Sequence, residues 1–122
     1  MPIIIKTDHG LELTEALKNY TEKKISEASQ KFGRNLQLMI DLEKVSSHHT
    51  HGEIYKAEAR VSGDLNFMVS ELKNNLYAAI DGLKDKLEYE ISSQTKKQRS
   101  LFRNLAQNFK KFLKNKSDKK SV

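Results

Sequence analysis

The sequence predicts an α+β domain with the element order β-α-β-β-β-α, in which a four-stranded sheet carries two helices on one face. Apolar and polar residues alternate in three consecutive segments between residues 36 and 71. Before and after these segments, apolar residues recur mostly every three to four positions, which is the spacing of one face of a helix. The chain has 122 residues, of which 37% are hydrophobic, and this is enough for one domain.

The first strand is predicted over residues 3–7, because three β-branched isoleucines precede the turn signal Asp8-His9-Gly10. A helix is predicted over about 14–32, with Thr14 as its N-cap and Gly33 as the left-handed residue that ends it. Its apolar face has the spacing of a helix and consists of Leu17, Tyr20, Ile25, Ala28 and Phe32.

Three further strands are predicted over about 36–45, 53–61 and 65–71, separated by the polar loop Ser46–Gly52 and a tight turn at 62–64. The helix between the first two strands implies that they pair in parallel through a right-handed connection. The last three strands form an antiparallel meander. A second helix begins after Asn74 or Asn75, and its buried stripe comprises Leu76, Ile80, Leu83, Leu87 and Ile91.

The net charge of +6 resides in the C-terminal tail. Residues 1–94 contain 12 Lys and Arg against 15 Asp and Glu, a net charge of −3, whereas residues 95–122 contain 10 against one, a net charge of +9. We therefore predict an α/β domain over 1–94 and a basic extension over 95–122, with a disordered end from Asn115. Such a tail favours a polyanion as partner.

Residues 100–114 of the extension have the pattern of a basic amphipathic helix, and four interpretations of it remain open. The helix can wrap RNA together with Lys96, Lys97 and Arg99 and stack on bases. It can lie on a membrane surface. It can pair with another protein or with itself. It can also extend the second helix and pack on the protein's own core. Its apolar residues are Leu101, Phe102, Leu105, Phe109, Phe112 and Leu113.

No motif of nucleophilic, phosphate-binding or metalloprotease chemistry occurs in the sequence, so we expect neither an enzyme nor a cofactor. There is no cysteine, and the loop histidines His48, His49 and His51 lack a recognised ligand spacing, so we expect no metal site. Asp81 and Asp85 are interpreted as an exposed charged face. Without a signal peptide or a long apolar run, we expect a cytoplasmic protein that has no membrane partner.

Cations flank the apolar stripes of both helices, and we consider them as contacts for nucleic-acid phosphates. Glu22 and Glu27 interrupt this patch, so an ordinary solvated helix face is the competing interpretation. On the helical wheel, the cations that flank the stripes or follow the first helix are Lys23, Lys24, Lys31, Arg34, Lys84 and Lys86.

Three strings carry a resemblance to a known family: L-T-E-A-L-K at 13–18, K-A-E-A-R-V at 56–61 and L-Y-A-A-I-D-G-L-K-D-K-L at 76–87. In their order and spacing they resemble the ribosome hibernation promoting factor family, also called ribosome-associated translation inhibitor or sigma-54 modulation protein. The resemblance covers about residues 1–95. It implies a β-α-β-β-β-α fold similar to a double-stranded-RNA-binding domain.

The resemblance also implies a function without chemistry on a small-molecule substrate. Members of this family bind the small ribosomal subunit near the decoding centre in stationary phase or stress. They occupy the channel of messenger and transfer RNA and silence the ribosome. The implied partners are the 30S subunit, the 70S ribosome and 16S rRNA. The implied rRNA contacts are Lys18, Lys24, Arg34, Lys84 and Lys86, and the helical wheel adds Lys23 and Lys31.

The sequence departs from the family pattern at three places. Glu27 stands where the family often has lysine, Glu88-Tyr89-Glu90 where it often has arginine, and Asn75 where it usually has aspartate. The core is therefore less cationic than expected, and we predict that the tail supplies the missing attraction. The tail is too short to be the dimerisation domain of long members. The alternative function is a protein-interaction module whose amphipathic tail binds a partner or a second copy.

Overall fold

The structure is a computed structural model that describes residues 2–30, 35–45 and 52–120, with residues 115–120 described as backbone alone. The predicted element order is confirmed. The elements are β1 (Ile3–Asp8), α1 (Glu15–Gln30), β2 (Leu36–Val45), β3 (Ile54–Gly63), β4 (Phe67–Lys73) and α2 (Leu76–Lys120).

The four strands form one sheet in the order β1-β2-β3-β4. As predicted, β1 pairs in parallel with β2, with Ile3 opposite Leu38, and the remaining pairs are antiparallel. The parallel pair follows from α1, which returns the chain to the same end of the sheet before β2 begins. The buried apolar side chains of α1 and of α2 up to Ile91 form one core with those of the sheet. On the other face of the sheet, side chains such as Ile4, Lys6 and Arg60 are exposed.

The core lies between the sheet and both helices. On the sheet side, β2 contributes leucine and isoleucine, and β3 contributes the small Ala57 and Ala59, which leave room for the helices. Because Ile80, Leu83 and Leu87 of α2 are fully buried, truncating any of them to alanine would cost about 2–5 kcal/mol of folding stability. The β2 side chains in the core are Leu36, Leu38, Ile40 and Leu42, and those of α1 are Leu17, Ile25 and Ala28.

Both helices begin at the predicted caps. Thr14 Oγ1 accepts the Leu17 N–H at 3.2 Å. Asn75 Oδ1 accepts the N–H groups of Tyr77 and Ala78, at 2.8 and 3.3 Å. These bonds satisfy backbone donors that have no partner within the first turn of a helix. The predicted C-terminal Gly33 lies outside the described residues.

The turn after β3 depends on a glycine. Gly63 ends the strand with a φ of +112°, and a Cβ there would lie 2.5 Å from the carbonyl oxygen of Asn35. Asp64 also binds Asn35, because its Oδ2 accepts the Asn35 N–H at 3.0 Å. The close approach of two backbones therefore fixes this corner of the sheet.

The chain divides into two compact units, Met1–Ile91 and Ser92–Val122. The second unit is helical to Lys120, so residues 100–114 continue α2, as one of the four open interpretations has it, and helix is present where the sequence predicts irregular chain from Asn115. The reason is composition: after Gly82 the chain contains neither glycine nor proline, and Lys, Gln, Arg and Leu favour helix. The domain boundary at residue 94 stays a prediction.

Candidate nucleic-acid interface

Side-chain contacts join α1 to α2 on the surface of the first unit. Tyr20 Oη donates a hydrogen bond of 2.6 Å to Asp81 Oδ1. The rings of Tyr20 and Tyr77 meet edge to face, with centroids 4.9 Å apart and an interplanar angle of 82°. The Nζ of Lys84 on α2 lies 3.1 Å from Oε2 of Glu27 on α1. Both aromatic and charged groups therefore line the outer surface where the two helices meet.

Lys18 and Lys23 are exposed on α1 and have no ion-pair partner among the residues that the structure describes. An exposed, unpaired ammonium group exchanges only water and counterions when it meets a phosphate. These two predicted residues can thus meet a polyanion without first leaving an ion pair with a described residue, and Lys23 acts on Glu27 only through its charge.

Lys24 stands beside the tyrosine pair. Its Nζ lies 3.9 Å from Asp81 Oδ1 and 5.6 Å from the centroid of the Tyr20 ring, and the side chain is 30% exposed. The carboxylate and the ring face both attract the ammonium group. Lys24 is therefore held close to the aromatic groups instead of extending into solvent.

Lys84 is the most strongly engaged of the predicted cations. Its Nζ donates to Glu27 Oε2 at 3.1 Å and lies 3.9 Å from Glu88 Oε1. The hydrogen bond with Glu27 raises the pKa of Lys84, and the same bond lowers the pKa of Glu27. Two of the three departures from the family pattern, those at Glu27 and Glu88, thus act on one lysine.

Lys86 is paired on the opposite side of α2. Its Nζ lies 3.2 Å from Glu71 Oε2 and donates to the carbonyl oxygen of Ser70 at 2.8 Å. Gly82 makes this contact accessible, because a Cβ there would lie 2.8 Å from Cγ of Glu71. The absence of a side chain at 82 lets Glu71 of β4 lie against the helix and reach the lysine.

The predicted cations of the first unit and of the segment after α1 therefore fall into three groups. Two on α1 are unpaired among the described residues, and three are held by carboxylates within the first unit. Lys31 and Arg34 lie outside the described residues. In the second unit, Lys96, Lys97 and Arg99 are exposed, and none has an ion-pair partner in the part of the chain that the structure describes. Their role in RNA binding stays a prediction.

The second unit also presents an exposed apolar face. Six large side chains between 101 and 113 are 49% to 75% exposed, with Phe102 the most exposed. Arg103, Lys110, Lys111 and Lys114 are exposed as well. The predicted amphipathic pattern is thus present on one helical segment, with its apolar side open to solvent.

Sequence reasoning missed the group formed by Tyr20, Tyr77 and Asp81. It placed Asp81 on a plain charged face, whereas this carboxylate accepts the Tyr20 hydroxyl. Tyr77 and Asp81 are four residues apart in the string L-Y-A-A-I-D, a spacing that places them on one side of a helix. That spacing was the available signal, and Tyr20 could not be joined to it without the packing of α1.

One further cluster occurs among the described residues. Asp8, His9 and Glu43 bring one imidazole nitrogen and two carboxylate oxygens within 4.8 Å of one another. His9 Nε2 lies 3.8 Å from Asp8 and 3.9 Å from Glu43, an arrangement that equally serves an ion pair at the surface. The three loop histidines lie outside the described residues, and the expectation of no metal site stays a prediction.

The fold and this surface define a small α+β binding domain, with two helices on one face of a mixed sheet and exposed cations on α1 and on the extension. The chain belongs to the Sigma 54 modulation protein / S30EA ribosomal protein family, whose model matches residues 3–99. This membership confirms the resemblance that the three sequence strings indicate.

Curated relatives carry the name ribosome hibernation promoting factor. The one from Azotobacter vinelandii is 33% identical over 92 residues, which cover 74% of this chain and 79% of the relative. The one from Pseudomonas putida is 28% identical over 109 residues, which cover 87% of this chain and 98% of the relative. The similarity thus spans most of both proteins in each comparison.

Two solved structures have the same fold. The N-terminal domain of Protein Y from Thermus thermophilus has a TM-score of 0.63 at 28% identity, over 75% of this chain and 96% of that domain. A ribosomal subunit interface protein from Coxiella burnetii has a TM-score of 0.61 at 21% identity, over 78% and 98%. Both confirm the predicted α+β fold class. No helix in the described ranges is long and apolar enough to cross a membrane.

Proposed function

We propose that this protein is a cytoplasmic ribosome hibernation factor that binds the small subunit near the decoding centre. It occupies the channel of messenger and transfer RNA, contacts 16S rRNA on the 30S subunit and in the 70S ribosome, and inhibits translation in stationary phase or stress. The observation that carries the proposal is the family match over residues 3–99, which includes both helices up to Arg99. The action is to bind and fill space, with no catalytic step.

The charges suggest that the two units contribute differently to RNA binding. In the first unit Lys18 and Lys23 have no ion-pair partner among the described residues, whereas Lys24, Lys84 and Lys86 must leave a carboxylate before they reach a phosphate. Residues 95–122 carry ten basic residues against one acidic residue. The extension therefore supplies the greater part of the electrostatic attraction, and α1 supplies the cations that the folded unit presents.

Sedimentation of ribosomes through sucrose tests the proposal. We expect the purified protein to migrate with 30S and 70S particles at low salt and to leave them at high salt. The double variant Lys18→Gln/Lys23→Gln should bind more weakly. A matched control is Lys6→Gln/Arg60→Gln, which removes two exposed cations from the open face of the sheet and should bind like the unmodified protein. A protein that stays in the light fractions at every salt concentration contradicts the proposal.

The exposed apolar face of residues 101–113 favours a second candidate function, a protein-interaction module. Six large apolar side chains at 49% to 75% exposure are the usual mark of a contact surface. In that case the protein stays in the light fractions of the gradient. It then associates with a partner or with itself, and higher salt strengthens the contact because it screens the repulsion between basic residues.

A further inference from the structure

A hollow of about 400 Å³ opens beside the start of α2. Its walls combine two aromatic rings, two side-chain amides, two apolar residues and one carboxylate, which belong to Tyr55, Tyr77, Asn74, Asn75, Leu11, Leu76 and Glu53. The carboxylate is paired with Lys44 at 2.6 Å, so its charge is compensated. Flat apolar surfaces next to hydrogen-bonding groups are what a nucleobase requires, because its faces stack and its edge forms hydrogen bonds. All these residues belong to the first unit.

Tyr77 is held in place on one side and open on the other. Its ring meets Tyr20 edge to face at 4.9 Å, and Tyr20 is fixed by its 2.6 Å hydrogen bond to Asp81. Its backbone N–H is bound to Asn75 Oδ1 at 2.8 Å. The side chain nevertheless remains 45% exposed. A ring that is already ordered loses little conformational entropy when a flat group stacks on it.

The polar groups of the hollow differ in whether they already form hydrogen bonds. Tyr55 Oη donates to Glu53 Oε2 at 2.6 Å, so this residue offers its ring more readily than its hydroxyl. The amide of Asn74 is exposed and has no hydrogen-bond partner among the described residues. An amide both donates and accepts, which suits the edge of an unpaired base.

We propose that an unpaired base of the bound RNA stacks on Tyr77 in this hollow and hydrogen-bonds to Asn74. The proposal rests on the function proposed above and adds a contact to a base to the contacts with phosphates. Lys24, 5.6 Å from the neighbouring Tyr20 ring, lies near enough to this aromatic pair to receive a phosphate of the same strand. An apolar side chain of a protein partner would use the rings but would leave the Asn74 amide without a bond.

The test uses the full chain with 30S subunits and with protein-free 16S rRNA. Tyr77→Leu removes the ring, and loss of one stacked base should weaken binding to both by about 5- to 150-fold. The slope of affinity against salt should not change, because no phosphate contact is lost. Tyr77→Phe keeps the ring and should bind normally. Tyr89→Leu is the matched control, because Tyr89 is a 73% exposed tyrosine of α2 outside the hollow.

Asn74→Ala is a second test that does not depend on the stability of Tyr77→Leu. Because Asn74 is exposed and caps no helix, this variant should fold normally. We expect it to weaken binding about 2- to 12-fold, with Asn66→Ala, in the turn before β4, as its control. Normal binding by both Tyr77→Leu and Asn74→Ala overturns the inference and leaves the proposed function intact. A photocrosslink from position 77 that joins a ribosomal protein of the 30S subunit instead of 16S rRNA also overturns it, because the hollow then binds a protein. If the unmodified chain ignores the subunits, it is the proposed function that fails.

Discussion

The hydroxyl of Tyr20 on α1 donates a 2.6 Å hydrogen bond to the carboxylate of Asp81 on α2. This bond connects the two helices at the surface and fixes the Tyr20 ring against Tyr77. The hydrogen bond to Asp81, followed by burial and by the charge of Asp81, raises the pKa of Tyr20 from 10.0 to about 12. The proton of Tyr20 is therefore held more tightly in the folded chain than in the unfolded one.

Stability should respond to this pKa in the alkaline range. The bond contributes fully below pH 10, and its contribution is lost as the pH rises from 10 towards 12, where Tyr20 ionises in the folded state. We expect Tyr20→Phe to remove an ionisation step near pH 12 in a titration followed by tyrosinate absorbance. The variant should also lose less stability than the unmodified protein between these pH values. Identical titrations for the two proteins would exclude the assignment.

Removing the carboxylate of Glu27 should strengthen binding to the small subunit. Glu27→Gln removes the hydrogen-bonded carboxylate and leaves Lys84 with the weaker attraction of Glu88, at 3.9 Å, and of Asp85, which makes its ammonium group more available to a phosphate. We expect tighter binding at low salt and a salt slope steeper by about one phosphate contact. Glu12→Gln removes the same charge from the segment before α1 and serves as control. Equal gains for both variants would mean that only net charge matters.

The extension should determine much of the salt dependence. If it contributes most of about 6–10 phosphate contacts, affinity falls about 10³- to 10⁵-fold between 50 and 200 mM salt. Truncation after Ser93 should flatten this slope. The triple variant Lys96→Gln/Lys97→Gln/Arg99→Gln should flatten it by up to about three contacts in a chain of full length. A slope that neither change alters would remove the extension from RNA binding.

Gly63→Ala should destabilise the first unit. The new Cβ would lie 2.5 Å from the Asn35 carbonyl oxygen, and the backbone has a φ of +112°. We expect a loss of about 2–3 kcal/mol in the free energy of unfolding, measured by urea denaturation. Gly10→Ala is the matched control, because Gly10 also has a positive φ but no atom within 4 Å of the new Cβ. It should lose less stability than Gly63→Ala.

The fold was accessible from the sequence because its signals are local and repeated. Alternation along β2, the spacing of the α2 stripe and the caps Thr14 and Asn75 each depend on a few neighbouring residues. The sequence left the length of α2 open, since the change in composition after Ser93 indicates a boundary, whereas a helix continues wherever no residue breaks it.

The lysines show where sequence reasoning about the site ends. The helical wheel places Lys84 and Lys86 beside the buried stripe. In the structure both lysines lie there, but each is paired with a carboxylate. Glu27 is 57 residues away from Lys84 in sequence, so their contact depends on how the two helices pack. The link from Glu71 to Lys86 depends on Gly82, whose role appears only when β4 lies against α2.

These carboxylates also bear on how the protein lets go of its target. A lysine that leaves a phosphate finds Glu27, Glu71 or Asp81 within 3.9 Å and needs no distant counterion to replace it. Because these carboxylates replace the lost phosphate, dissociation costs less free energy than it would from a surface whose lysines have no such partner. If the protein acts as proposed, leaving the ribosome therefore costs these lysines less free energy than their number alone would suggest.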